Sequence, residues 1–239
     1  MIALLTDFGD SEYVGVMKGV IFSINKDAKI TDLYNFVQPQ NVKEAAWILY
    51  SNYKYFPKNT VFLCVVDPGV GSKRQCLAIK TKNHFFVGPD NGLLYNAANE
   101  DGFLEVVALN EKGASRTFHG RDVFAKAAAQ IDKTKKIDGK KSDLKVKLYF
   151  HLKGREGEVV RIDRFGNIIT NLSALNKPSY ITKTKNFTKK LRFYRTYNEA
   201  KNNELFVIEG SANTLEISVK NSDASKKLKA KVGEKIEVI

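Results

Sequence analysis

The sequence predicts an α/β protein: an N-terminal, largely parallel-sheet α/β domain over residues 1–147, followed by a smaller C-terminal β-barrel domain over residues 148–239. Two observations carry that expectation. In the first half, short apolar runs alternate with segments whose apolar residues recur at helical spacing, the pattern of βαβ units. After a lysine-rich stretch at 132–147 the helical period disappears, and only short strand-like runs separated by turn residues remain.

The elements follow in order. Ile2 to Leu5 is the first buried strand. Tyr13, Val16, Met17, Val20, Ile21 and Ile24 then mark one face of a helix. Gly15 and Gly19 lie one turn apart in it, which predicts a close approach to the sheet. Ile30 to Leu33 reads as a strand, and Val42, Ala45, Ala46, Leu49, Tyr50 and Tyr53 as a second amphipathic helix. Val61 to Val66, Cys76 to Lys80 and His84 to Val87 predict three more strands. Val123, Phe124, Ala127, Ala128 and Ile131 give a third helix. Beyond the boundary region, strands are expected at Glu158–Ile162, Ile168–Asn171, Lys190–Tyr194, Leu205–Ile208, Thr214–Val219 and Lys235–Val238.

Composition narrows the classes. A chain of 239 residues with 43% hydrophobic residues can bury a full core. No apolar run approaches the roughly 20 residues of a membrane span, and the short apolar N-terminus meets a charge at Asp7, so a cytoplasmic protein is expected. Cys64 and Cys76 sit in strand-like runs and read as reduced core thiols. The formal charge of +13 raises the question of nucleic acid. The excess is mostly lysine after residue 130, with little aromatic interleaving, which favours a solvated surface over a base-stacking one.

Chemistry concentrates in polar, glycine-bearing islands: Thr6-Asp7-Phe8-Gly9, Asp67-Pro68-Gly69-Val70-Gly71, Gly88-Pro89-Asp90-Asn91-Gly92, Phe118-His119-Gly120-Arg121-Asp122 and Asp163-Arg164-Phe165-Gly166-Asn167. Each taken alone is ordinary turn chemistry. Four of them fall at predicted strand ends or at a helix start, where ligands bind in open α/β sheets. Glycine-rich phosphate loops, nucleophile elbows and zinc spacings are absent from the sequence, so no metal or cofactor is expected. Of the three histidines, His84 and His151 read as structural, and His119 is the candidate for chemistry.

In this order and spacing the five islands resemble the S-adenosylmethionine (SAM) hydroxide adenosyltransferase family, which is related to the SAM-dependent fluorinase and chlorinase. The resemblance covers nearly the whole chain. It implies an α/β domain, a β-barrel domain and a homotrimer with active sites between subunits. It also implies the reaction of SAM with water at C5′ to give adenosine and L-methionine, SAM being substrate rather than cofactor. The implied catalytic triad is Asp67, Arg74 and His119. Asp67 stands where the halogenases carry tyrosine, which points to the water-using branch; halide transfer and non-catalytic SAM or adenosine binding are the alternatives. The resemblance gives Asp7 to the ribose or the methionine amine, and Glu12 to the position of an aspartate on the ribose hydroxyls. Asn91 and Gly120 join the substrate-binding set. Asp163 would hold the methionine ammonium, Phe165 would pack on adenine and Asn167 would bond its edge. Ser211 matches a serine near the methionine carboxylate, ahead of Ala212 where the halogenases have arginine. Asn221, Ser222 and Ala224 map onto the last adenine-binding loop.

Overall fold

A computed structural model describes residues 1–239. The chain divides into two compact units, Met1–Leu148 and Tyr149–Ile239. No helix is long and apolar enough to cross a membrane.

The first unit is built on seven strands: β1 (Ile2–Thr6), β2 (Ile30–Tyr34), β3 (Val61–Val65), β4 (Cys76–Thr81), β5 (Phe85–Pro89), β6 (Phe103–Ala108) and β7 (Lys140–Lys141). Their order across the sheet is β2-β1-β3-β5-β4-β6-β7. Four neighbours, β2, β1, β3 and β5, are parallel. The sheet is mixed, because β4, β6 and β7 continue it antiparallel. The central strands are apolar throughout because both faces are covered. Ile2 and Leu4 of β1, with Val61, Leu63 and Val65 of β3, pack on one side against helices α1 (Glu12–Ile24) and α4 (Ala125–Thr134). Ala3, Leu5, Phe62 and Cys64 point the other way, toward α2 (Val42–Asn52) and α3 (Tyr95–Asp101).

One expectation for α1 fails. Gly15 and Gly19 do not face the sheet: a Cβ at either would meet nothing within 4 Å. Met17 and Ile21 make the contact instead, since α1 buries the i, i+4 row two residues further on. The close backbone approach lies at Gly88, where a Cβ would collide with the Cys64 carbonyl of the neighbouring strand. Residues 132–147 also differ from a linker. Asp90 accepts hydrogen bonds from the backbone N–H groups of Lys145 (3.2 Å) and Val146 (3.1 Å), and Leu144 packs on the α2 side of the core.

The second unit is a closed barrel. Its strands are β8 (Glu156–Ile162), β9 (Ile168–Thr170), β10 (Ser179–Lys183), β11 (Thr188–Tyr194), β12 (Leu205–Glu209), β13 (Leu215–Val219) and β14 (Lys235–Val238), in the order β10-β11-β12-β13-β9-β8-β14. Closure leaves no free edge. Val159, Ile168, Tyr180, Leu191, Val207, Ile217 and Ile236 fill the interior. A short helix α5 (Ala224–Leu228) is capped by Asp223, whose side chain accepts from the Lys226 N–H at 2.9 Å.

Candidate active site

The strand directions bring the polar islands of the first unit to one edge. β1, β3 and β5 are parallel, so the residues after them, Asp7, Asp67 and Asp90, lie at the same end. β4 runs the opposite way and begins there: Cys76 pairs with Pro89, which brings Arg74 to that edge. β6 ends there too, Ala108 pairing with Leu77, so Glu111 follows close behind. His119 directly precedes a wide π-turn, Gly120–Phe124, in which the Ala125 N–H reaches back five residues to the Gly120 carbonyl. Such turns recur at functional sites.

Arg74 joins these loops. Its Nε donates to both oxygens of Asp67 (3.1 and 3.0 Å), and Nη2 donates to Oδ2 (2.5 Å). Nη2 also lies 2.9 Å from His119 Nδ1, and Nη1 lies 3.0 Å from Cys76 Sγ. The side chains of Asp67, Arg74 and His119 are at most 9% exposed, so this is a buried, hydrogen-bonded ion pair and not a surface contact. Burial alone would lower the arginine pKa, but the hydrogen bond and charge of Asp67, followed by Cys76, raise it above its ordinary value. Arginine has no acceptor, so Nδ1 of His119 must accept; the neutral ring then carries its proton on Nε2. On Asp67, Oδ1 receives only the Nε hydrogen bond and keeps most of its acceptor capacity.

Cys76 was expected to be a plain core thiol, and its surroundings are polar on one side. Burial above all, with the Glu111 carboxylate adding and Arg74 opposing, pushes this thiol up to about 12, so it stays protonated. Cys76 Sγ, a Glu111 oxygen and a His119 nitrogen lie within 4.8 Å of one another, a donor set that by type suits a soft divalent ion. The Arg74 guanidinium stands among these same atoms and supplies the positive charge there.

Beside the triad opens a cleft of about 540 Å³. Asp7, Asp67, His119, Gly120 and Arg121 line it together with Phe8, Tyr13 and Phe118. The three rings meet edge to face at 5.0–6.0 Å between centroids. Gly71, at φ +74°, fixes the floor: a Cβ there would strike the Arg116 carbonyl, so the Asp67 loop and the loop before His119 are in contact. Asp7 accepts from the Gln40 N–H at 2.7 Å. Glu12 is the exposed first residue of α1 and does not line the cleft. Asn91 uses both ends of its amide within the protein, donating to the Val66 carbonyl of the loop after β3 (2.9 Å) and accepting from Leu93 N–H in its own loop (3.2 Å).

The remaining expected residues lie in the barrel unit. Asp163 accepts from the N–H groups of Phe165 and Asn167 and from Asn167 Nδ2, each at 2.9 Å, and so shapes its own loop. Phe165 is 76% exposed, a large ring facing mostly solvent in the single chain. Gly166, at φ +82°, sits against Asp223, and its carbonyl accepts from Ser225 N–H (2.9 Å), which seats this loop beside Ala224 at the start of α5. Asn221 and Ser222 lie just before that helix, Asn221 at φ +55°. Ser211 is in the exposed β12–β13 turn, away from those contacts in sequence.

Residues 2–140 match the SAM hydroxide adenosyltransferase N-terminal domain, and residues 157–237 match the C-terminal domain of the same family. The chain belongs to the SAM hydroxide adenosyltransferase family. A curated relative from Methanocaldococcus jannaschii, named (R)-S-adenosyl-L-methionine hydrolase, is 40% identical over 257 aligned residues, covering 100% of this chain and 95% of the relative. One of the same name from Thermus thermophilus is 32% identical, covering 98% of both. A crystal structure of an uncharacterized conserved protein from Thermotoga maritima superposes with a TM-score of 0.93 at 36% identity, covering both chains completely. Proteins named fluorinase are more distant relatives. The family's first domain thus spans the whole Asp67–Arg74–His119 cluster.

Arg121 gives this edge a second pair, donating from Nε and Nη2 to the two oxygens of Asp122 (2.7 and 2.9 Å). That hydrogen bond, opposed by burial and helped by the Ser115 N–H, holds the Asp122 carboxyl down at about 2. The folded value lies below the unfolded one. The charged form therefore stabilises the fold above the ordinary carboxylate range, and that contribution is lost as pH falls through about 2. Carboxyl NMR titration of Arg121→Gln is expected to show Asp122 titrating nearer the ordinary range; an unmoved midpoint would mean the pair does not set it.

Proposed function

We propose that this protein hydrolyses SAM to adenosine and L-methionine by attack of water at C5′. The observation that carries the reading is the buried Asp67–Arg74–His119 cluster on the wall of the cleft, in a chain whose full-length relatives bear the hydrolase name. The volume of the cleft is that of a small-molecule site.

The chemistry asks little of the leaving group. Displacement at C5′ releases a neutral thioether, which needs no proton. Water is the weak partner and must lose one. Asp67 Oδ1 is placed to accept it, and His119, with its proton on Nε2, is a donor that can hold the water oxygen. Arg74 fixes both in place, so neither has to reorganise when substrate arrives. Hydroxide-like charge meeting a sulfonium is charge neutralisation, which a water-poor cleft favours over the separated ions. A carboxylate on this wall also repels halide, which disfavours halide transfer by this chain.

In the same reading the protein works in the cytoplasm as a homotrimer without a cofactor. Asp7, Glu12, Asn91 and Gly120 belong to the substrate set of the first domain. Asp163, Phe165, Asn167, Ser211, Asn221, Ser222 and Ala224 serve the methionine and adenine ends from the barrel of a neighbouring copy. Exposed rings at Tyr13 and Phe165 in the single chain support an assembly that covers them. Light scattering is expected to give three times the 26.9 kDa chain mass; a monomer at assay concentration would remove this part of the reading.

Purified protein is expected to convert SAM into equal amounts of adenosine and methionine. The relatives' names carry the descriptor (R) beside L, and L already fixes the amino-acid carbon, so the sulfonium centre is the one left to specify. Chromatography of reactions with each sulfonium epimer should therefore show the (R) form consumed faster. Asp67→Asn keeps the shape but not the base and is expected to lower kcat about 10²–10⁴-fold. Turnover of that variant at the wild-type rate would overturn the proposed role of Asp67.

A further inference from the structure

The triad has a fourth ionic member that neither the motifs nor the family resemblance singles out. Glu111, in the loop after β6, places Oε2 3.6 Å from His119 Nδ1 and 4.0 Å from Arg74 Nη1. The Cys76 thiol bridges the same groups, its sulfur 3.0 Å from Arg74 Nη1, 3.5 Å from His119 Nδ1 and within 4.8 Å of a Glu111 oxygen. One guanidinium thus stands between two carboxylates, Asp67 on its Nε–Nη2 side and Glu111 beyond Nη1. Asp67 is the one in the cleft wall; Glu111 lies behind it and is 36% exposed.

We propose that Glu111 is a positioning residue that gives the Asp67–Arg74–His119 cluster a net charge of −1. This rests on the hydrolase reading above. Asp67 and Arg74 alone cancel, and His119 is neutral because Nδ1 accepts from Arg74. A cluster of zero net charge attracts a sulfonium only through the nearer Asp67 carboxylate, and a proton taken from water would leave it at +1 beside a cation. With Glu111 the cluster starts at −1 and ends neutral once the proton has moved. The bond that forms is C5′–O, the bond that breaks is C5′–S with its electron pair going to sulfur, and the water proton goes to Asp67. The basic side chains flanking these loops, Lys73, Lys112 and Arg116, are exposed, and of the other charged groups in the cleft lining Asp7 is acidic while Arg121 is paired with Asp122. Attraction over this distance at the edge of a protein is modest but not screened away.

The test separates charge from shape. Calorimetry would measure binding of sinefungin, a non-cleavable analogue with an ammonium group in place of the sulfonium, and of S-adenosylhomocysteine, the neutral thioether. Their affinity ratio would be compared in wild type, Glu111→Gln and Glu111→Asp. Glu111→Gln is expected to reduce the preference for the cation about five- to tenfold and to lower kcat by a similar factor. Glu111→Asp, which keeps the charge, should restore most of both. A purely structural role would weaken both ligands equally and leave the ratio unmoved, which would overturn the proposal. The hydrolase reading fails separately: wild-type protein that binds neither ligand and releases no adenosine would refute that reading, and this role with it. A wild type that cleaves SAM alongside a Glu111→Gln variant with an unchanged ratio would refute only the role of Glu111.

Discussion

The first unit is organised around one cation that cannot be deprotonated. Arg74 reaches Asp67, Cys76, His119 and Glu111, which come from two separate connections and the start of a strand. A guanidinium offers five donors in a fixed plane, so its partners must arrive at set angles. Lysine has the charge but not the fork. The cost of burying Asp67 is offset only while Arg74 is present, and the reverse holds equally, so neither can be removed without leaving an unpaired charge at a site nearly closed to water.

The sheet makes that convergence possible. Three parallel strands deliver their C-terminal ends to one edge, which is ordinary for an α/β fold. The antiparallel pair β4 and β6 adds something a purely parallel sheet would lack. β4 begins at the site edge, so an arginine two residues before it points into a cluster built by the ends of other strands. β6 returns to the same edge and brings Glu111. The contact of Gly71 with the Arg116 carbonyl then ties the two longest loops together without using any side chain of the cluster.

Much of this was legible in the sequence, for identifiable reasons. Strands buried on both faces appear as unbroken apolar runs, so β1 and β3 were plain, and the helical rows of α1 and α2 were equally so. Asp67 and His119 stood out through company: each island alone is turn chemistry, but several at predicted strand ends and a helix start mark one ligand edge. Other elements left weak signals. α3 buries only Ala97, Ala98 and Asp101, and β6 begins with three exposed residues, so neither shows an apolar period. β7 is two exposed lysines on an edge. Gly15 and Gly19 misled because a glycine pair in a helix says that a side chain is missing, not which direction it would have pointed. Glu111 was invisible: an acid in an Asn-Glu-Lys-Gly loop looks like solvated surface, and only the path of the chain turns it back toward Arg74.

The wide turn at Gly120–Phe124 bears on how this site tolerates change in length. Each residue of a helix rotates the chain by about 100° about its axis. The extra residue held in that turn therefore sets the angle between everything before it and the core-facing row Ala125, Ala128, Ala129 and Ile131. Shortening the segment by one position to a regular helix would keep that row packed and swing His119 round the axis, off its partner guanidinium. Here a single-residue deletion would preserve the fold and dismantle the chemistry.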